Sequence, residues 1–381
     1  MASGIFLVAA EPSGDLLAAE IVDEIRKRAP EIELHAIGGD HLAERGLVSP
    51  IDITPLSVVG LLEGVKIYRQ VIELADAAAD AIIEASPHTV ALVDSWGFTL
   101  RVAQRVRARA PEIRLVKIVG PQVWATRPGR AKTLAETVDH LVCIHGMEAP
   151  FYEPFGLPVT VMGNPALSRG ERGKGAAGRE ALGISDAPIL LVLPGSRRSE
   201  VDNVAPVLLK AAEAIHAARP DVRIVVQPAS NIRQYFIEKS GEIESWAQLA
   251  PVSAKRADIM AAATYALACS GTVTSELAFQ ETPFLVGYET GWVTWALARF
   301  FLFKPTHITL LNIAADDTEI VPEFVQTKFR PQSMAEEALR MLGDEEARAA
   351  QIEAQKKALA RMGEGNLKSA EIAADILLST D

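Results

Sequence analysis

Three groups of residues in this chain have the types and spacing of a chemical site. Residues 193–200 read LPGSRRSE, directly behind the apolar run Ile189–Leu193. An apolar run, then Pro-Gly-Ser, then a long amphipathic segment predicts a strand, a tight loop and a helix start. Gly195 and Ser196 let the backbone approach a ligand, and the first N–H groups of the helix would point at it. Arg197 adds a planar cation matched to phosphate oxygens, and Glu200 ends the motif. This pattern suits a diphosphate pocket. An ordinary strand–helix turn with a surface arginine has the same pattern, and the motif alone leaves both open.

The second group, SGTVTSE at 270–276, follows the apolar run Tyr265–Cys269. Ser270, Gly271 and Thr272 at a helix start again offer N–H groups to a phosphate. Glu276, one turn inside, could accept hydrogen bonds from ribose hydroxyls. The third group consists of residues that follow strand-like runs in the first half. Asp94 ends the run Thr89–Val93, where a catalytic base would stand in an α/β sheet; its alternative role is the N-cap of a helix over 99–108. Glu11, Ser13, Gly14 and Asp15 follow the apolar run 5–9 in a turn without GxGxxG spacing, as site residues or simple caps. Trp124, Arg127 and Arg130 follow the run 114–119. They could stack a sugar and pair an anion, or line a solvated helix face.

These groups sit in a β–α alternation that runs through the whole chain. Strands are expected at 5–9, 34–37, Thr89–Val93, 114–119, 140–144 and 159–162, then at Ile189–Leu193, 222–227, Tyr265–Cys269 and Phe284–Tyr288. Pro322-Glu323 reads as the opening of a last loop, and 335–378 as helical. The polar, glycine-rich stretch 168–180 is the best linker candidate. The expected architecture is two doubly wound, Rossmann-like α/β domains, 1–168 and 169–345, facing a central cleft. A C-terminal helix at about 346–381 is expected to pack back onto the first. The apolar cluster at 58–62 could meet acyl chains or a bilayer surface, with buried core as the alternative.

Composition narrows the class. The 381 residues allow about two domains, and 49% apolar with 23% charged residues is ordinary for a globular protein. A net charge of −11 argues against a general nucleic-acid binder. The two cysteines, Cys143 and Cys269, lie in apolar runs, which suits a reducing cytoplasm, and neither they nor the histidines have metal-ligand spacing. The run 5–10 is too short for a secretory signal, and no run reaches the roughly 18 apolar residues of a spanning helix.

With these motifs in order, the chain resembles the lipid-A-disaccharide synthases. The likeness runs nearly end to end: AAEPSGD (9–15), VD (93–94), VGPQVWATRPGR (119–130), FYEPFGLPVTVMGNP (151–165), LPGSRRSEV (193–201), SGTVTSE (270–276) and LLNIAADDTEIVPEFVQ (310–326). The resemblance implies a GT-B glycosyltransferase that moves 2,3-diacylglucosamine from its UDP derivative to 2,3-diacylglucosamine 1-phosphate. It forms a β-1,6 linkage, with no metal or cofactor. Such enzymes work in the cytoplasm against the inner face of the bacterial inner membrane; a homo-oligomer is left open. Asp94 and Arg197 match the family's essential aspartate and arginine. Glu276, Asn312, Glu323 and Gln326 match positions around the donor, and Glu11, Ser13, Gly14 and Asp15 match the acceptor-side loop.

The chain departs from the family pattern at Ala10 (usually Gly), Gly97 (Asp), Thr99 (Asn), Asn164 (His), Glu289 (Arg) and Leu311 (Pro). The changes at Asn164 and Glu289 bear on donor or acceptor-phosphate binding. Two other readings share the architecture: a GT-B-fold sugar-nucleotide epimerase, and a non-catalytic UDP-sugar-binding paralogue.

Overall fold

A computed structural model describes residues 4–53, 64–241, 243–289, 305–363 and 368–379. The apolar cluster at 58–62 lies outside the described residues. The chain divides into two compact units, Met1–Arg169 with Met362–Asp381, and Gly170–Arg361.

The first unit holds six parallel strands, β1 (Gly4–Ala9), β2 (Glu33–Ile37), β3 (Thr89–Val93), β4 (Arg114–Ile118), β5 (His140–Cys143) and β6 (Val159–Val161). Their order is β2-β1-β3-β4-β5-β6. Runs such as β1 and β3 are buried at every position because helices cover both faces of the sheet. Alternate residues of β1 serve opposite faces. Phe6 and Val8 pack with Ala75, Ala78 and Ile82 of the helix Gly64–Ala85 and with Val102 of the helix Trp96–Arg109. Ile5, Leu7 and Ala9 pack instead with Leu17 and Ile21 of the helix Pro12–Arg28 and with Ala373 and Leu377 of the helix Ser369–Leu378. Arg114 secures that last helix by donating to the carbonyls of Ile376 (2.8 Å) and Ser379 (2.9 Å).

The second unit also holds six parallel strands, β7 (Ile189–Leu193), β8 (Arg223–Val226), β9 (Gln248–Leu249), β10 (Tyr265–Cys269), β11 (Phe284–Tyr288) and β12 (Glu323–Val325). Their order is β12-β11-β10-β7-β8-β9. Leu190, Val192 and Leu267 pack against Leu208 and Ile215 of the helix Ala205–Ala218 and against Met334 and Ala338 of the helix Pro331–Gly343. The helix Glu345–Arg361 belongs to this unit, so of the C-terminal stretch only Met362–Asp381 joins the first.

Three features differ from the sequence expectation. Both β9 and β12 are edge strands of two and three residues, too short for an apolar period to mark them; β12 begins at Glu323, where a loop was expected. The third is the glycine-rich linker candidate, part of which is the helix Gly175–Leu182. A Cβ at Gly173 or Gly178 would stand 2.1 Å from the Ala257 or Asp258 carbonyl, and one at Gly175 would stand 2.8 Å from that of Ala261. These glycines therefore let the helix Arg256–Ala262 approach closely, rather than supplying flexibility.

Strand order places the chemistry. The first sheet reverses direction of winding between β1 and β3, the second between β7 and β10. In open α/β sheets ligands bind beyond the strand ends at such a reversal. Glu11 and the first turn of the helix Pro12–Arg28 follow β1, Asp94 follows β3, and residues 195–200 and 270–276, each a loop with the start of a helix, follow β7 and β10. Among the described residues no helix is long and apolar enough to cross a membrane.

Candidate functional site

In the second unit the loop after β7 is built around Glu200. Its buried carboxylate accepts the N–H of Ser196 at 2.7 Å and of Arg197 at 3.2 Å through Oε2, and Arg197 Nη1 at 3.0 Å through Oε1. Gly195 turns through φ +118°, and a Cβ there would stand 2.6 Å from that of Glu200. The Ser196 and Arg197 amides, just before the helix Arg198–Asn203, are thus turned onto the protein's own carboxylate. What the loop presents outward is the Arg197 side chain, 76% exposed. The motif works as a mount for a cation rather than as a nest of N–H groups.

The loop after β10 is more open. Gly271 takes φ +153° with open space where a Cβ would lie, and the helix Val273–Phe279 starts two residues on. Thr274 Oγ1 donates to the Gly271 carbonyl at 2.8 Å and shapes the turn. Gly195, Ser196, Glu200, Ser270, Gly271, Thr272 and Glu276 line one cavity of about 230 Å³ together with Gln227 and Arg256. Arg256 Nε lies 3.0 Å from the Glu276 carboxylate and holds it on the cavity wall. The buried Gln227 Oε1 has no partner among the described residues. Sequence reasoning named neither residue. Gln227 ends an apolar run as Asp94 does and could have been found that way, whereas only the fold brings Arg256 to Glu276.

The other donor-side residues hold the framework. Asn312 is fully buried: its Oδ1 accepts the N–H groups of Ile320 (2.9 Å) and Val321 (2.8 Å), and its Nδ2 donates to the Val321 carbonyl (2.8 Å) and to Glu323 (2.9 Å). An amide side chain has little capacity left after four such bonds. Glu323 also accepts from the N–H groups of Ile308 and Thr309. Gln326 is buried at φ +52°. None of these three lines the cavity.

In the first unit Asp94 follows β3 with φ +50°, and Ser95 has φ +42°. Two successive non-glycine residues in the left-handed region cost roughly 1–2 kcal/mol each. The helix Trp96–Arg109 is capped at Ser95 with no side-chain cap, so the Asp94 carboxylate is not used as the N-cap. Ser13 Oγ faces Asp94 Oδ2 at 3.4 Å. Underneath, the buried Lys117 ammonium of β4 donates to the Asp94 carbonyl, and to Thr99 Oγ1 at 2.8 Å. Burial pulls the Lys117 ammonium down to about 7, against the opposing pull of the Asp94 and Glu11 carboxylates.

The remaining acceptor-side residues divide. Glu11 and Ser13 are exposed, and Gly14 packs on the end of β3 with its Cβ position 3.4 Å from that of Asp94. Asp15 is buried, and its two oxygens accept the N–H groups of Gly39 and His41 at 2.8 Å each, pinning the loop after β2. A cavity of about 250 Å³ lies between these loops, lined by Ala10, Glu11, Asp15, His41 and Ile53 among others. Trp124 is buried, so it packs in the core rather than stacking on a sugar. Arg130 lies over the Trp96 ring at 5.2 Å, and Arg127 is exposed at φ +49°. Asn164 caps the short helix Pro165–Ser168 through Ala166 N–H at 3.0 Å, and Glu289 is exposed just past β11.

A further buried pair stands at the end of β5. Glu148 accepts the His145 N–H at 2.8 Å; burial pushes its carboxyl up to about 7 and pulls the His145 imidazole down to about 4.

Comparison with known proteins supplies the family. The lipid-A-disaccharide synthetase family model matches residues 5–377. The lipid-A-disaccharide synthase of Rhodospirillum centenum is 34% identical over 381 residues, covering 98% of this chain and 94% of that protein. That of Anaeromyxobacter dehalogenans is 36% identical over 361 residues, covering 94% and 93%. Among solved structures, UDP-GlcNAc 2-epimerases share the fold. The Methanocaldococcus jannaschii enzyme in complex with UDP-GlcNAc and UDP has a TM-score of 0.54 at 14% identity, covering 98% of each chain. The Neisseria meningitidis enzyme bound to UDP-GlcNAc has a TM-score of 0.55 at 12% identity, also covering 98% of each. With two Rossmann-like sheets and a family match along nearly its whole length, the chain belongs to the lipid-A-disaccharide synthase family of glycosyltransferases.

Proposed function

We propose that the protein transfers 2,3-diacylglucosamine from its UDP derivative to 2,3-diacylglucosamine 1-phosphate, giving the β-1,6-linked disaccharide 1-phosphate and UDP. An α-linked donor and a β-linked product require inversion, hence one in-line displacement. The acceptor 6-hydroxyl oxygen attacks the donor sugar C1, and the bond from C1 to the phosphate oxygen breaks with its electron pair leaving on UDP. The hydroxyl proton passes to the Asp94 carboxylate. Arg197 neutralises the charge that grows on the departing diphosphate, assisted by the helix start after Ser270. Glu276 accepts the ribose hydroxyls.

The observation that carries this reading is the state of the two charged groups. The Asp94 carboxylate stands outside any capping role at a strand end, and Glu200 holds Arg197 by both its backbone N–H and its Nη1 while most of the arginine side chain stays exposed. The acyl chains of both substrates place the work at a lipid surface, the inner face of the bacterial inner membrane, with the protein associated peripherally. The anomeric configuration of the isolated disaccharide tests the displacement: a β product from the α donor is expected, and an α product would exclude a single inversion. An epimerase reading has only the shared fold, at 12–14% identity, in its favour.

A further inference from the structure

The buried lysine below the proposed base has no place in the displacement just described. Lys117 is the fourth residue of β4, between Val116 and Ile118 in a strand otherwise packed into both cores. A lysine fully enclosed in a parallel strand is rare unless its ammonium has partners. Here the partners are the backbone carbonyl of Asp94 and the hydroxyl of Thr99, itself fully buried. Thr99 Oγ1 lies 2.8 Å from the Asp94 carbonyl and 3.0 Å from that of Ser95. Together, Lys117 and Thr99 grip the carbonyls of the two consecutive residues that turn through positive φ. The charged groups facing the ammonium are Asp94, at the end of β3, and Glu11, in the loop after β1.

We propose that Lys117 is a positioning residue for Asp94: its ammonium holds the left-handed Asp94–Ser95 turn from below and so fixes the carboxylate beside Ser13. Lys117 touches no substrate; it acts through the Asp94 carbonyl. The proposal rests on Asp94 being the base.

The test compares wild type, Lys117→Met, Asp94→Asn and the double variant, using UDP release from the diacylated UDP-sugar with acceptor present. Lys117→Met keeps an unbranched stem one atom shorter and removes the donors and the charge. Circular dichroism and a UDP titration accompany each variant, since the cavity proposed for UDP belongs to the other unit. The expected result is a fall in kcat of at least about tenfold with both KM values within about threefold. UDP affinity should be unchanged. Because Lys117 acts through Asp94, adding Lys117→Met to Asp94→Asn should cost little more. Wild-type kcat in folded Lys117→Met, or an equal further loss in the Asp94→Asn background, would overturn the proposal. Should Lys117→Met not fold, Lys117→Gln carries the same readouts: its amide is neutral and too short to hold both partners, and wild-type kcat in it would equally overturn the assignment. A fully active Asp94→Asn would instead remove the base itself, whatever Lys117 does.

Discussion

Glu200 Oε2 accepts the backbone N–H of Ser196 at 2.7 Å, occupying from within the loop a donor that a phosphate could have used. The same carboxylate takes the next amide and the arginine itself. Replacing it by alanine leaves two amides without their acceptor and frees the Arg197 side chain. Glu200→Ala should therefore weaken UDP binding by tenfold or more in calorimetry and lower stability by about 2 kcal/mol. Unchanged UDP affinity in a folded variant would mean the mount is irrelevant to the diphosphate.

Arg197→Ala addresses the cation directly. UDP should lose affinity by about 30-fold, equivalent to about 2 kcal/mol. Uridine, which lacks the diphosphate, should bind almost as before. Equal weakening of both ligands would move Arg197 away from the phosphates.

Asp94→Asn removes the proton acceptor but keeps the shape. Turnover should fall by two to four orders of magnitude, within the range of a lost general base. UDP affinity should hardly change, because the cavity proposed for UDP is lined by residues of the other unit. Parallel loss of turnover and UDP binding would dismiss Asp94 as the base.

The pair His145–Glu148 makes a pH prediction about stability. Glu148 is pushed up to about 7 in the folded chain by burial, above its ordinary 4.5. Between those values the folded state keeps a proton that the unfolded state has lost, so the Glu148 contribution to stability falls as pH rises through this window, while His145, held down to about 4 by burial, contributes in the opposite direction up to its ordinary 6.5. Measured against Glu148→Gln, which retains the His145 part, wild type should lose on the order of 3 kcal/mol in urea unfolding between pH 4.5 and 7.5. Parallel pH curves for the two proteins would contradict the raised value.

Asn312 is expected to matter through folding. Its four hydrogen bonds lie within the protein, and Asn312→Ala strands the Val321 and Ile320 amides and a Glu323 oxygen. A loss of about 3 kcal/mol is expected, read as a lowered Tm. A large loss of UDP affinity with an unchanged Tm would make Asn312 a donor ligand after all.

Much of this was legible in the residues, for a physical reason. Strands covered on both faces are uninterrupted apolar runs, so Thr89–Val93, Ile189–Leu193, Tyr265–Cys269 and Phe284–Tyr288 could be read to the residue. The loops with chemical residues were legible because they follow those runs. What each side chain does there was not. Glycines 173, 175 and 178 look like a linker until the neighbouring helix backbone is seen against them. Glu200 and Asn312 look like ligand contacts, yet both bond to the chain's own backbone. A single lysine in an apolar run carries no spacing signal, and only the parallel pairing of β3 with β4 sets Lys117 under Asp94.

The measurement that tests the account most directly is UDP release from UDP-2,3-diacylglucosamine, with and without 2,3-diacylglucosamine 1-phosphate, in the presence of EDTA. The account predicts UDP formation that depends on the acceptor and persists in the chelator. UDP bound but never released, or released equally without acceptor, would contradict a glycosyl transfer between these two substrates.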